Sequence, residues 1–171
     1  MKKVFLVTLA MVFVLSGLFF SVGSAPAQAG GHKILAFDSM TGVTAGLTGA
    51  QSQVPLRGIS GGGLPWVLTS AEGFLKDSGA LKIEVEGLEL AAGANAGSNP
   101  IASFRGLVSC VNSDGSFSNI LTDLFPATTG PATSGGGNAE IETMVSLPHP
   151  CIAPIIFVTN PGGAWFAATG K

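Results

Sequence analysis

The chain has 171 residues, of which 46% are hydrophobic and 11% charged, and its formal net charge is −2. This composition excludes a disordered polyelectrolyte, which needs low hydrophobicity and a high net charge. No stretch clusters Lys and Arg, so the sequence predicts no nucleic-acid partner. The length suits one domain.

The N-terminus has the pattern of a secretory signal peptide. A positively charged start precedes an uncharged apolar run, residues 4–20, and the small residues Ala27 and Ala29 form a cleavage pattern. We expect residues 1–29 to be a signal helix that is cut after Ala29. A cut after Ala27 and an uncleaved membrane anchor are the alternatives.

Removal of the signal peptide would leave residues 30–171 as a mildly acidic chain. Six basic residues then face ten acidic ones, a net charge of −4. No hydrophobic tail follows, so we expect a soluble single domain in the periplasm or the medium, without stable membrane insertion.

The two cysteines, Cys110 and Cys151, both belong to this exported part of the chain. An oxidising compartment favours a disulfide between them. Linking positions this far apart stabilises the fold by about 4 kcal/mol in the chain-entropy model. A catalytic or redox thiol is the alternative, but the chain has no C-x-x-C and only His149 stands near as a base.

The first strands are predicted between residues 66 and 88. In residues 81–88 apolar side chains alternate with charged ones, as in a strand with one solvated face. A preceding strand is predicted at 66–75, and residues 76–79 supply the turn between the two. The small, polar residues 91–98 that follow are interpreted as a mobile loop.

A strand that is apolar on both faces is predicted at residues 101–111. Such a pattern is typical of a central strand covered on two sides. The turn residues 112–115 then lead into a polar strand at 116–121.

Two more strands are predicted towards the C-terminus. Residues 139–147 alternate, with Glu140 and Glu142 on the outer face, and this pattern sets the register. Residues 151–158 are apolar on both faces and indicate a second central strand, in which Pro154 predicts a bulge or an edge. The cysteines would then join neighbouring or facing strands.

These patterns predict the fold class. Helical periodicity is hard to find after residue 29, and glycine-rich turns, such as 61–63 and 135–137, recur at short spacing. We therefore expect an all-β fold, a single-domain antiparallel β-sandwich of immunoglobulin-like or similar Greek-key type.

A serine-hydrolase motif is the first candidate for chemistry. Gly58, Ser60 and Gly62 fit the G-x-S-x-G pattern, and an Asp followed by a His comes later in hydrolase order. The candidates for these later positions are Asp114 or Asp123 and His149. No helix follows the serine, however, so we favour a Gly/Ser loop and keep a small secreted hydrolase as an alternative function.

A metal site depends on the cut after Ala29. A chain that begins Gly30-Gly31-His32 offers an amine, two backbone amide nitrogens and an imidazole, which together suit square-planar Cu(II) or Ni(II). A Cu(II)-binding protein is therefore a further alternative. No other cofactor or zinc-, calcium- or phosphate-binding motif is found in the sequence.

The two tryptophans could offer stacking faces to a carbohydrate. Trp66 and Trp165 both lie in apolar runs, which favours burial in the core. Glu84 and Glu86 share one strand face, as do Glu140 and Glu142, and such pairs are usually a solvated surface.

Several short motifs together resemble a family of uncharacterised secreted bacterial proteins. The resemblance covers most of residues 30–171 and implies export and one compact domain. It rests on Pro65-Trp66, Gly87-Leu88, Asn99-Pro100, Phe104-Arg105, Ser109-Cys110, Phe125-Pro126-Ala127-Thr128, Pro150-Cys151-Ile152-Ala153-Pro154 and Trp165-Phe166-Ala167-Ala168-Thr169-Gly170.

About a quarter of the chain also resembles the opening of the chordin-type CHRD module, an extracellular β-rich domain. The residues that match are Leu47-Thr48-Gly49-Ala50-Gln51, Val54-Pro55, Gly79, Leu81 and Gly87-Leu88. Glu89-Leu90-Ala91-Ala92 stands where that module carries a His-containing segment, so the resemblance implies no His-dependent property here.

The sequence thus predicts a secreted, non-enzymatic β-sandwich that serves as a binding or structural module. Its ligand would be a carbohydrate or a protein. An exposed aromatic or apolar patch is what such a module should present.

Overall fold

The computed structural model describes residues 30–48 and 55–170, and in this part the secondary structure is β-strands, turns and short 3-10 segments. The predicted signal helix lies outside the described residues. No helix in the described ranges is long and apolar enough to cross a membrane. The strands are β1 (Lys33–Phe37), β2 (Thr41–Gly42), β3 (Trp66–Val67), β4 (Ser70–Lys76), β5 (Ala80–Glu86), β6 (Glu89–Leu90), β7 (Ser98–Asn99), β8 (Ser103–Val111), β9 (Phe117–Leu121), β10 (Phe125–Pro126), β11 (Gly130–Pro131), β12 (Ala139–Met144), β13 (Ile152–Thr159) and β14 (Trp165–Ala168).

Two antiparallel sheets face each other. The first sheet has the order β1-β4-β5-β12 and the second the order β10-β8-β13-β14-β2, with β9 also paired to β8. A Cβ at Gly106 in β8 would lie 3.0 Å from Ile83 Cδ1 in β5, so the two sheets are in close contact there. The fold is the antiparallel β-sandwich that the sequence predicts.

The alternation in β5 and β12 is confirmed. Leu81, Ile83 and Val85 are buried between the sheets, and the charged residues of β5 lie on the outer face. In β12 Ile141 is fully buried and pairs with Ile83. Each strand has one apolar face, and burying that face fixes the register.

The predicted strand at 66–75 is wrong as a single element, because the chain divides it between two pairings. Trp66 pairs with Leu90 in β6 and donates its N–H to the Val43 carbonyl, whereas β4 begins at Ser70 opposite Glu86. The chain therefore crosses from beside the second sheet into the first between β3 and β4. The turn at 76–79 is confirmed as the β4–β5 hairpin.

The two central strands are confirmed, with one correction. β8 is buried on both faces between β13 and β9, and the second half of β13 is buried as well. The first half of β13 is exposed instead, and Ile152 keeps 47% of its accessible surface. The register shifts between Ile152 and Ile155, so the bulge predicted at Pro154 is present.

The segment at 91–98 is a loop of successive turns between β6 and β7. The Gly97 N–H donates to the Leu90 carbonyl at 2.8 Å, and the Ala96 N–H donates to the Gly93 carbonyl at 3.2 Å. These bonds close the loop, and its mobility stays a prediction.

Candidate functional site

The disulfide forms as predicted between Cys110 of β8 and Cys151, with a Cα–Cα distance of 4.9 Å. Cys110 is fully buried. Because Ile152, the next residue after Cys151, pairs with Val111, the bond joins neighbouring strands of the second sheet. Neither cysteine is free, and their disulfide fixes the exposed start of β13 to β8.

The structure does not bring the hydrolase candidates together. The Ser60 carbonyl accepts the Trp165 N–H, and Trp165 pairs with Thr159 at the end of β13. His149 precedes the start of β13, in a surface depression that it shares with Asp77. The eight residues of β13 span about 23 Å at about 3.3 Å per step, so Ser60 and His149 lie near opposite ends of that strand.

Asp114 has a structural part in the β8–β9 turn. Its Oδ1 accepts the Ser116 N–H at 2.9 Å and the Ser116 hydroxyl at 2.6 Å. These two bonds lower the pKa of the Asp114 carboxyl, because they stabilise its charged form. The other acidic candidate, Asp123, lies just beyond β9.

The candidate metal ligands Gly30, Gly31 and His32 are exposed and lie beside the β4–β5 turn. The His32 N–H donates to Asp77 Oδ1 at 2.9 Å, and the Asp77 N–H donates back to the His32 carbonyl. A square-planar site would need the His32 amide nitrogen as a ligand, so this bond would have to break. Among the described residues, no three His, Cys, Asp or Glu side chains form a group that could hold a metal ion.

Both tryptophans are core residues, each with 4% of its surface exposed. Trp66 stacks on Phe166 with ring centroids 3.9 Å apart, and Trp165 meets Phe157 edge-on at 6.0 Å. Burial is what their apolar neighbours predict, and neither ring offers a face to a sugar.

The outer face of the first sheet is acidic. Glu72, Glu84 and Glu140 lie directly opposite one another across β4, β5 and β12. Like charges in directly opposite positions destabilise a sheet. We call this surface the acidic face; it comprises Glu72, Glu84, Glu86, Glu140, Glu142 and Lys82.

Lys82 offsets part of this repulsion. Its Nζ contacts Glu84 Oε1 and lies 3.5 Å from Glu140 Oε1. This ion pair lowers the pKa of the Glu84 carboxyl. A catalytic acid needs the opposite, a raised pKa, so Glu84 does not have the electrostatics of a glycosidase acid.

β9 lies at one edge of the second sheet. Hydrogen bonds at both ends of the β8–β9 pair show which residues of β9 bond to β8. The Asn112 N–H donates to the Ser116 carbonyl at 2.8 Å, and the Thr122 N–H donates to the Gly106 carbonyl at 2.9 Å. Bonded and non-bonded pairs alternate in an antiparallel ladder. Even-numbered residues of β9 therefore bond β8, and odd-numbered residues point their N–H and C=O groups away from it.

The odd-numbered residues Phe117, Asn119 and Leu121 form what we call the β9 edge. Among the described strands, β9 pairs only with β8, so this edge has an open row of backbone donors and acceptors. Phe117 keeps 51% of its surface exposed and Leu121 keeps 42%. The strand predicted at 116–121 is interpreted as polar, so its sequence does not indicate this edge.

Arg57 crosses the outer face beside the β9 edge. Its Nη2 donates to the Ala153 carbonyl at 2.7 Å and its Nη1 to the Ser109 carbonyl at 3.2 Å. The guanidinium carbon lies 5.4 Å from the Phe117 ring centroid, and the Arg57 carbonyl accepts the Asn119 side-chain amide. Burial lowers the pKa of Arg57. The contacts hold the Phe117 ring in place.

Three strands at other sheet edges carry features that discourage further pairing. β1 contains Lys33 and a register shift, β12 carries two outward glutamates, and β10 contains Pro126. Charge, irregularity and proline are the usual ways to block an edge. β9 contains neither a charged residue nor a proline and pairs regularly, so it differs from these edges.

No protein-family model, curated protein or solved structure matches this chain. The resemblances to secreted bacterial proteins and to the CHRD module therefore stay predictions.

Proposed function

We propose that the protein is an exported, non-enzymatic binding module that accepts an extended polypeptide segment at the β9 edge. The observation that carries this proposal is the coincidence of open backbone groups on three alternate residues with exposed apolar side chains on two of them, Phe117 and Leu121. The buried disulfide supports an oxidising, extracytoplasmic location.

The chemistry of the β9 edge favours a polypeptide over other ligands. Its open N–H and C=O groups have the spacing of a strand, so another strand can bond all of them at once. Phe117 and Leu121 can then pack against alternate side chains of the added strand. A sugar would find no exposed tryptophan ring in the described chain.

A direct test uses the synthetic peptide Ser-Phe-Ser-Asn-Ile-Leu-Thr, the sequence of residues 116–122. We expect millimolar peptide to shift the amide NMR signals of Phe117, Asn119 and Leu121 and to slow their hydrogen exchange. The same peptide with proline in place of its asparagine loses a donor and should bind more weakly.

The control lies within the same strand. The amides of Ser118 and Ile120 already bond β8, so their exchange should change far less than that of their neighbours. Absence of any peptide-induced change at the odd-numbered amides would overturn the proposed docking mode. Equal effects of the two peptides would do so as well.

A further inference from the structure

We propose that the segment accepted at the β9 edge is β9 of a second copy of this chain, paired antiparallel about a two-fold axis. This inference rests on the proposed function and names its partner. The second sheet would continue across the axis into the sheet of the other copy.

The register follows from the positions of the open groups. An axis at Asn119 places it opposite Asn119 of the partner subunit and places Phe117 opposite Leu121 of the partner subunit. All three residues of the β9 edge then form bonded pairs, because each points its N–H and C=O at the other copy. A shift of one residue would place the open N–H and C=O groups opposite even-numbered residues of the partner strand. The backbone groups of those residues already bond β8 of their own copy.

The side chains are self-complementary in this register. On the outer face, an aromatic ring meets a leucine on each side of a central amide pair, and such pairs stabilise a ladder. A two-fold axis sets the central residue against its own copy, which would repel if that residue were charged. Asn119 is neutral there, and β9 as a whole carries no charge.

The acidic face disfavours the competing way to stack two copies. Sheets packed through that face would set the row of Glu72, Glu84 and Glu140 against a second row of the same charge. The β9 edge lies on the other sheet, so edge pairing keeps the acidic surfaces solvated. A contact limited to one short strand is small, and we expect a weak dimer that dissociates on dilution.

The test is sedimentation equilibrium of the protein expressed from its full sequence and isolated in its disulfide-linked form. We expect the weight-average mass to rise towards twice the monomer mass between micromolar and millimolar concentration. Leu121→Lys sets a charge in the contact, and Asn119→Pro removes an open N–H. Both variants should stay monomeric over the same range.

Each variant has a matched control. Leu124→Lys makes the same charge change at a leucine that is 51% exposed outside β9. Asn119→Ala loses the side-chain bond to Arg57 and the central amide pair but keeps the backbone donor, so it should still dimerise, unlike Asn119→Pro. Leu124→Lys should dimerise like the unchanged protein, and circular dichroism with the intact disulfide verifies that all four variants fold.

The outcomes separate this inference from the proposed function. An unchanged protein that stays monomeric at millimolar concentration, yet binds the 116–122 peptide, overturns self-pairing and retains strand docking. A monomer that binds no peptide overturns both. Dimers that persist in Leu121→Lys and Asn119→Pro show another contact surface and also overturn the inference.

Discussion

Replacing Arg57 with methionine should destabilise the protein, because the guanidinium links three parts of the second sheet. It donates to the Ser109 carbonyl of β8 and to the Ala153 carbonyl at the bulge of β13, and it lies against the Phe117 ring of β9. Methionine keeps most of the apolar stem, so the change removes mainly the charged donors.

The magnitude follows from the surroundings of each contact. Ser109 is fully buried, and loss of a charged donor to its carbonyl costs about 2 kcal/mol. Ala153 is exposed, so water replaces that bond at a cost of about 0.5 kcal/mol. The contact with the exposed Phe117 ring adds about 0.5 kcal/mol. The expected loss in the free energy of unfolding is about 3 kcal/mol.

Arg105→Met is the matched control. Arg105 donates from Nη1 to the Pro161 carbonyl at 3.4 Å, and its buried Nε has no partner in the described structure. Its removal should change the free energy of unfolding by less than about 0.5 kcal/mol. Urea denaturation followed by far-UV circular dichroism measures both variants. Equal losses of stability in Arg105→Met and Arg57→Met would refute the structural role assigned to the Arg57 contacts.

Three other measurements probe the core, the disulfide and the acidic face. Trp66→Ala should lower the free energy of unfolding by about 3–5 kcal/mol in urea denaturation. Val67→Ala, at the next residue, which is 46% exposed, should lower it by less than about 1 kcal/mol. Similar losses in the two variants would contradict the buried position of the indole. The double change Cys110→Ala and Cys151→Ala should lose about 4 kcal/mol relative to the oxidised protein, and a loss below about 1 kcal/mol would argue against the loop-closure account. Because Lys82 holds the pKa of Glu84 low in the folded state, this ion pair stabilises the protein above the ordinary glutamate pKa. That stabilisation disappears as the pH falls through the lowered value, so Glu84→Gln should flatten the acid limb of a stability profile, and an unchanged limb would count against it.

The fold could be predicted where a side-chain pattern has one physical meaning. In β5 and β12 the charged residues can lie only on a solvated face, so the alternation fixed strand, face and register together. In β8 the apolar run requires cover on both sides, and the structure supplies it. The disulfide could be predicted from the expected export and from the absence of any other cysteine in the sequence.

The candidate site could not be predicted, because it depends on long-range pairing. Whether Phe117 and Leu121 lie beside an open edge depends on β9 pairing with β8 alone among the described strands, which its own five residues do not encode. Arg57 reaches carbonyls 52 and 96 positions away, from a backbone conformation with φ of 51°. No local motif indicates such contacts, and an arginine whose backbone lies in the left-handed region is uncommon.

The acidic face of the first sheet and the uncharged β9 edge of the second both favour association of two copies through β9. Like charges set opposite one another in the first sheet weaken that sheet slightly, and they also repel any second copy that approaches the same surface. The edge strand of the second sheet, β9, is instead uncharged. Arg57 holds the side chains of Phe117 and Asn119, and the disulfide fixes the start of β13 to β8. A preorganised edge loses less conformational entropy on pairing than a mobile one. Contact through β9 is therefore favoured by the order of that edge and by the charge on the opposite side of the sandwich.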